Sequence, residues 1–195
     1  MRSFLICVVL ALAIACAAAQ QTRPKLSETF ESKGFVQIKN NGTLFFGEGW
    51  YHVSQPDGKA LEAFAFGGAE HLNVYELQRF DKGKAFEVIH AGHDKTPICH
   101  TKSLTGKMPQ LWDWVEKADY VRNFTANGSK FDLWGYKTAG ITLEVAVPVG
   151  YPNILAYFGR FSAGNEFSYY IEQWKTDKPH STWFEIPKEC HLGPK

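Results

Sequence analysis

From residue 35 onward, apolar and polar positions come in short alternating runs broken by clusters of Gly, Asn, Asp and Pro. The clearest run is Ile141, Leu143, Val145 and Val147 against Thr142, Glu144 and Ala146, a strand with one face turned inward. Phe35–Lys39 and Thr43–Phe46 flank Asn40-Asn41-Gly42, and Asn-Gly between apolar runs is a strong hairpin signal. Trp50–Ser54 and Lys59–Phe66 flank Gln55-Pro56-Asp57-Gly58, a second turn. Leu72–Phe80 and Lys84–His90 flank Asp81-Lys82-Gly83, so three hairpins follow one another as a meander. Further strands are predicted at Phe131–Lys137, Ile141–Val147, Asn153–Phe161, Glu166–Trp174 and Thr182–Ile186. One segment breaks the pattern. Pro109 stands where a first helical turn tolerates it, and Leu111, Trp112, Val115 and Ala118 recur at helical spacing. That spacing predicts one mid-chain helix over Pro109–Tyr120. Ten or eleven short strands with a single helix predict a mainly β protein, a large curved antiparallel sheet folded as a barrel, half-barrel or sandwich.

The start of the chain has a different character. Arg2, the apolar run Phe4–Cys16 and the small residues Ala17-Ala18-Ala19 have the three parts of a cleavable signal peptide over residues 1–19. The apolar run is too short to span a bilayer, and no other run is long enough, so no transmembrane segment is expected. Residues 20–34 read as a polar N-terminal arm and residues 35–195 as a single domain. A secreted chain meets an oxidising compartment. Two of the four cysteines, Cys7 and Cys16, leave with the leader, and Cys99 and Cys190 are expected to pair; free thiols or a bridge between chains are the alternatives. Three sequons, at Asn41, Asn123 and Asn127, sit in or near turn-like contexts and make the chain a candidate glycoprotein. A net charge of +1, without a basic patch, points away from nucleic acid.

Candidate chemistry is sparse. No Gly-x-Ser-x-Gly elbow and no phosphate-binding glycine loop is present, so an enzyme is not expected. His90-Ala91-Gly92-His93 with His100 is the best metal candidate, but no carboxylate or thiolate pattern completes a zinc set, and the histidines read as exposed loop residues. Asp81, Asp94, Asp113 and Asp119 do not have the spacing of a calcium loop. Aromatic residues, 15% of the chain, are more telling. Alternation puts bulky groups on both faces of several strands: Tyr169 and Ile171 on one, Tyr170 and Trp174 on the other, with Tyr157 opposed to Phe158 and Phe64 and Phe66 sharing a face. A sheet with one solvated face has polar residues there, so the second face needs a cover. The helix supplies part of it. A homodimer partner or a bound hydrophobic small molecule or lipid supplies the rest, unless the core is a thick sandwich with no cavity.

The long segments Gly47–Phe64 (GEGWYHVSQPDGKALEAF) and Val74–Ile89 (VYELQRFDKGKAFEVI), the cysteine at Cys99, the segment Phe131–Tyr136 (FDLWGY) and the ending Trp183–Cys190 (WFEIPKEC) together resemble the ependymin-related proteins. This is a secreted or lysosomal family whose fold is related to the bacterial lipoprotein carriers. The resemblance covers most of the chain after the leader, as pattern rather than as one motif, and the chain lacks the additional cysteines of vertebrate members. It implies a Cys99–Cys190 bridge and two stacked, curved antiparallel sheets with a hydrophobic pocket. Calcium is associated with the family, but no ligand set carries it over, so no cofactor is expected. A lipocalin is the nearest rival; Gly47-Glu48-Gly49-Trp50 misses the lipocalin Gly-x-Trp spacing by one residue, and the predicted helix is mid-chain instead of near the end. The expected function is a secreted glycoprotein that binds a lipid or fatty-acid-like ligand. The pocket candidates are Trp50, Phe64, Phe66, Trp134, Tyr157, Phe158 and Tyr169, with the helix near Leu111–Val115 as a lid. An extracellular matrix or adhesion glycoprotein without a small ligand is the alternative.

Overall fold

Eleven strands form the framework of the computed structural model, which describes residues 21–67, 72–92 and 95–191. The expected signal peptide, and with it Cys7 and Cys16, lies outside these residues, as do His93 and Asp94. The strands are β1 (Thr29–Asn40), β2 (Thr43–Ser54), β3 (Lys59–Phe66), β4 (Leu72–Arg79), β5 (Lys84–Ala91) and β6 (Ile98–Ser103), then β7 (Asp119–Ala126), β8 (Ser129–Thr138), β9 (Ile141–Pro148), β10 (Tyr157–Ser162) and β11 (Asn165–Lys175). They run antiparallel in the order β6-β5-β4-β3-β2-β1-β11-β10-β9-β8-β7. The expected mainly β, curved antiparallel architecture is present, but as one 11-stranded sheet and not two stacked ones. The reason is β1. It pairs with β2 on one side and with β11 on the other, which joins the β1–β6 meander edge to edge with the β7–β11 meander. β6 and β7 are the free edges, so the sheet is open.

The sheet curves toward one face. Phe64 on β3 and Phe167 on β11 have ring centroids 5.9 Å apart, although β2 and β1 lie between them. In a flat sheet three strand spacings of about 4.8 Å would hold their backbones roughly 14 Å apart. Converging side chains mark this as the concave face. Gly49, between them on β2, makes the approach possible: a Cβ there would stand 3.1 Å from the Tyr169 ring and 3.3 Å from that of Phe64.

The mid-chain helix over Pro109–Tyr120 is not formed. A single 3-10 turn, Asp113–Lys117, stands in an otherwise extended segment, and Asp119 and Tyr120 already belong to β7. Residues 104–118 connect β6 to β7, the two edges of the sheet, and cross its concave side as a strap. The end of the expected helix is taken up by the edge ladder instead, where Asp119 and Tyr120 pair with Gly135 and Trp134 of β8, and Trp112 is held by its indole N–H on the Ser27 carbonyl. Of the strap's apolar residues Met108, Val115 and Ala118 are buried, while Leu111 stays partly exposed.

Three more expectations change. The polar arm ends sooner than residue 34, because Phe30 and Ser32 are buried residues of β1. The strand expected at Thr182–Ile186 is a 3-10 turn, Ser181–Phe184, followed by another at Lys188–Cys190. This tail has no free strand beside it and covers the convex face of β3–β5, where Phe184 packs on Leu61, Leu77 and Phe86. Arg79 fixes it by donating to the Phe184 carbonyl at 2.6 Å while forming a bidentate pair with Asp81 at 2.7 Å. Finally, Trp174 does not share a face with Tyr170. The pairing of β1 with β11 shifts register between Lys33 and Gly34, so Ile171 faces Gly34 and Trp174 faces Ser32. The extra residue turns Trp174 to the concave side, where it stacks on Phe30 at 4.4 Å.

Candidate functional site

The middle of the concave face is built from alternate residues of β1, β2, β10 and β11. Phe30, Tyr51, Phe158, Tyr169, Ile171 and Trp174 are brought together there, and the strap lays Leu111 and Trp112 over them. Trp112 anchors the strap. Its indole N–H donates to the Ser27 carbonyl at 3.1 Å, and its ring meets those of Phe30, Phe158 and Trp174. Between strap and sheet remains an apolar cavity of about 110 Å³. Tyr169 is fixed at its wall by its hydroxyl, which donates to the Gly49 carbonyl and is hydrogen-bonded to the Ser32 hydroxyl, each at 3.2 Å, and burial holds its phenol well above the ordinary range. Beyond the strap the concave face continues as a half-open aromatic trough, in which Phe64 contacts Tyr51, Phe66 and Phe167.

A polar row crosses the same face. Tyr51, Glu62, Glu76 and Glu87 are successive cross-strand partners on β2–β5. The Tyr51 hydroxyl donates to Glu62, and burial together with that carboxylate pushes the Tyr51 phenol up. Burial also raises Glu62, against the opposing effect of the Tyr51 hydrogen bond. Like charges placed opposite one another repel; Gln78 donates to Glu76 and Lys102 pairs with Glu87, which offsets this.

A second hollow lies on the convex face, over β7–β11. It encloses about 520 Å³ and is walled by Phe35, Phe124, Phe131, Tyr157 and Tyr170, floored by Leu133 and Ala146, and edged by Arg122, Asn127 and Glu144. Burial raises the Glu144 carboxyl and pushes Tyr157 up to about 12.

The seven pocket candidates therefore divide. Phe158 and Tyr169 line the concave cavity. Phe64 and Phe66 lie along its trough, and Trp134 is buried beside the strap residues Val115 and Ala118, its indole N–H without a partner. Trp50 and Tyr157 are on the other face: Trp50 lies under Lys33 at 5.5 Å, and Tyr157 lines the convex hollow. The physical reason is register, since neighbouring residues in a strand point oppositely. Tyr51, next to Trp50, holds the place expected for Trp50. Phe30, Ile171 and Trp174 were missed; alternation back from Val36 through Ser32 to Phe30 was the available signal for the first, and nothing local marks the bulge that brings in Trp174.

Cys99 and Cys190 form a disulfide, tying the edge strand β6 to the tail. Asn41 and Asn127 occupy the β1–β2 and β7–β8 turns with φ of 47° and 50°, and Asn123 is exposed on β7. His100 is exposed on β6, and among the described residues no group of three His, Cys, Asp or Glu side chains is placed to hold a metal. Among the described residues no helix is long and apolar enough to cross a membrane.

No family model matches the chain, and no curated protein does. Among solved structures it is similar to MucB, at 15% identity and a TM-score of 0.41, over 89% of this chain and 60% of that one. It is also similar to the MucA/MucB complex of Pseudomonas aeruginosa, at 13% identity and 0.43, over 83% and 57%, and to PNGF-II, at 9% and 0.31, over 80% and 29%. The chain thus spans about three fifths of the MucB chain it matches. Likenesses at this level carry no argument about what the chain binds.

Proposed function

We propose that the protein is a secreted, non-enzymatic carrier of a hydrophobic small molecule or lipid, held between the concave face of the sheet and the strap. The observation that carries this reading is the apolar cavity under Leu111 and Trp112, whose lining residue Tyr51 meets Phe64 of the neighbouring aromatic trough at 5.9 Å. At about 110 Å³ the cavity is smaller than the roughly 300–1,000 Å³ that encloses a drug-sized ligand, so loading involves the strap lifting. Each buried methylene contributes about 0.8 kcal/mol, which lets a modest acyl chain reach micromolar affinity after the cost of association. Tyr51 and Glu62 stand beside the aromatic rings as polar groups for the ligand's head. The leader-like residues 1–19 and the Cys99–Cys190 bridge support an extracellular or lysosomal setting. The resemblance to ependymin-related proteins is part of this proposal and agrees with it.

A fluorescent fatty acid titrated into the delipidated protein tests the reading. Saturable binding, weakened tenfold or more by Phe158→Asp and unchanged by Trp50→Ala on the opposite face, is the expected result. A folded protein that binds no apolar probe overturns it. An adhesion or matrix glycoprotein then stands ahead, favoured by the exposed Leu44, Phe45 and Phe46 beside the β1–β2 turn.

A further inference from the structure

The convex hollow is not explained by a concave carrier site. It is the larger of the two, it is walled by aromatic rings, and its rim carries Arg122, Glu144 and Asn127. Asn127 is also the acceptor of the sequon Asn127-Gly128-Ser129, at the turn between β7 and β8. Directly behind that turn, Phe124 and Phe131 are cross-strand partners stacked at 5.4 Å. We propose that Asn127 carries an N-glycan whose first sugars fold back over the Phe124–Phe131 pair and fill this hollow, so that the chain's own carbohydrate covers its apolar convex face. This rests on the reading of a secreted chain, not on the identity of any carried ligand.

Four observations converge. The attachment residue is part of the hollow's rim, so the first sugar starts at its edge. The walls suit a saccharide, whose apolar C–H face lies on the electron-rich faces of aromatic rings while its hydroxyl and N-acetyl groups find Arg122 and Glu144. The volume of about 520 Å³ falls within the roughly 300–1,000 Å³ of sites for ligands the size of the two-sugar core. Finally, Asn127 has a φ of 50° in an exposed turn, presenting its amide at the protein surface where the transferase can reach it. Asn123 lacks these neighbours: it sits within β7 opposite Asp132, and it does not line the hollow.

The full chain, secreted from a eukaryotic cell, provides the test. Peptide mapping after enzymatic deglycosylation reads occupancy at each sequon, with Asn127 expected to be occupied. Ser129→Ala removes that sequon and leaves the Asn127 turn untouched. It is expected to lower the melting temperature by about 2–4 °C, the shift that a contact of about 1 kcal/mol gives in a chain of this size. Trimming the glycan to its first sugar is expected to preserve most of the effect. In the Phe124→Ala background the Ser129→Ala loss should vanish, a non-additivity that reports direct contact. Should Phe124→Ala fail to fold, binding of a hydrophobic dye by the Ser129→Ala chain but not by the glycosylated one supports the proposal instead; equal dye binding overturns it. Additive losses, or occupied Asn41 with unoccupied Asn127, overturn it while leaving secretion intact. No occupancy at any sequon overturns it as well.

Discussion

His52 shows what one buried side chain can report. It lies on the convex face, stacked on Trp183 at 4.0 Å and bonded to Glu31 at 3.2 Å. Burial lowers its pKa from 6.5, and the Glu31 contact only partly opposes this. Above pH 6.5 the ring is neutral in both folded and unfolded chains, and its contribution is constant. Below 6.5 the unfolded chain takes up the proton first, so stability declines until the folded-state pKa is passed. Chemical denaturation between pH 7.5 and 5 should show this decline, and His52→Gln should flatten it. Gly34 is a second sensitive position, because a Cβ there would collide with the Tyr170 carbonyl across the β1–β11 ladder. Gly34→Ala is expected to cost about 1–3 kcal/mol in a urea melt. At this scale the sequence is readable where the cause is local. Asn41-Gly42 forms the turn its chemistry demands, and Phe64 and Phe66 share a face as alternation requires. Trp50 and Trp174 were not readable, because register and a bulge are set by partners far along the chain.

Among the elements, the strap and the tail do opposite work on opposite faces. Trp112→Ala removes the ring that holds the strap against Phe30, Phe158 and Trp174. It should destabilise by about 3–5 kcal/mol and also weaken binding of an apolar probe, as read by thermal melts and probe titration. Cys99→Ser releases the tail instead. The bridge closes a loop of 91 residues, and its loss should cost about 2–5 kcal/mol while leaving probe affinity unchanged under conditions where the chain stays folded. Thiol labelling of the denatured, unreduced mature protein should find no free cysteine. The strap's inward-facing residues were legible as an apolar face. Its backbone was not, because Leu111, Trp112, Val115 and Ala118 fit a helix equally well. The helix is displaced by partners outside the segment, Trp134 beside Tyr120 and the Ser27 carbonyl under Trp112, and no window of the segment contains them.

At the scale of the whole molecule, strand content was legible and layer count was not. Two meanders were visible as successive hairpins, but whether they stack or join depends on the pairing of β1 with β11. That pairing also orders events during synthesis. The ribosome delivers β1 early and β11 near the end, so at about 5–20 residues per second β1 waits several seconds or longer with one side unpaired. Through that interval a row of backbone donors and acceptors in the future centre of the sheet is open to any passing strand. Phe167, Tyr169, Ile171 and Trp174 arrive on the same late strand, so a nascent chain has no working half-version of its hollow. A product cut short before residue 165 would lack both the partner of β1 and one wall of the cavity.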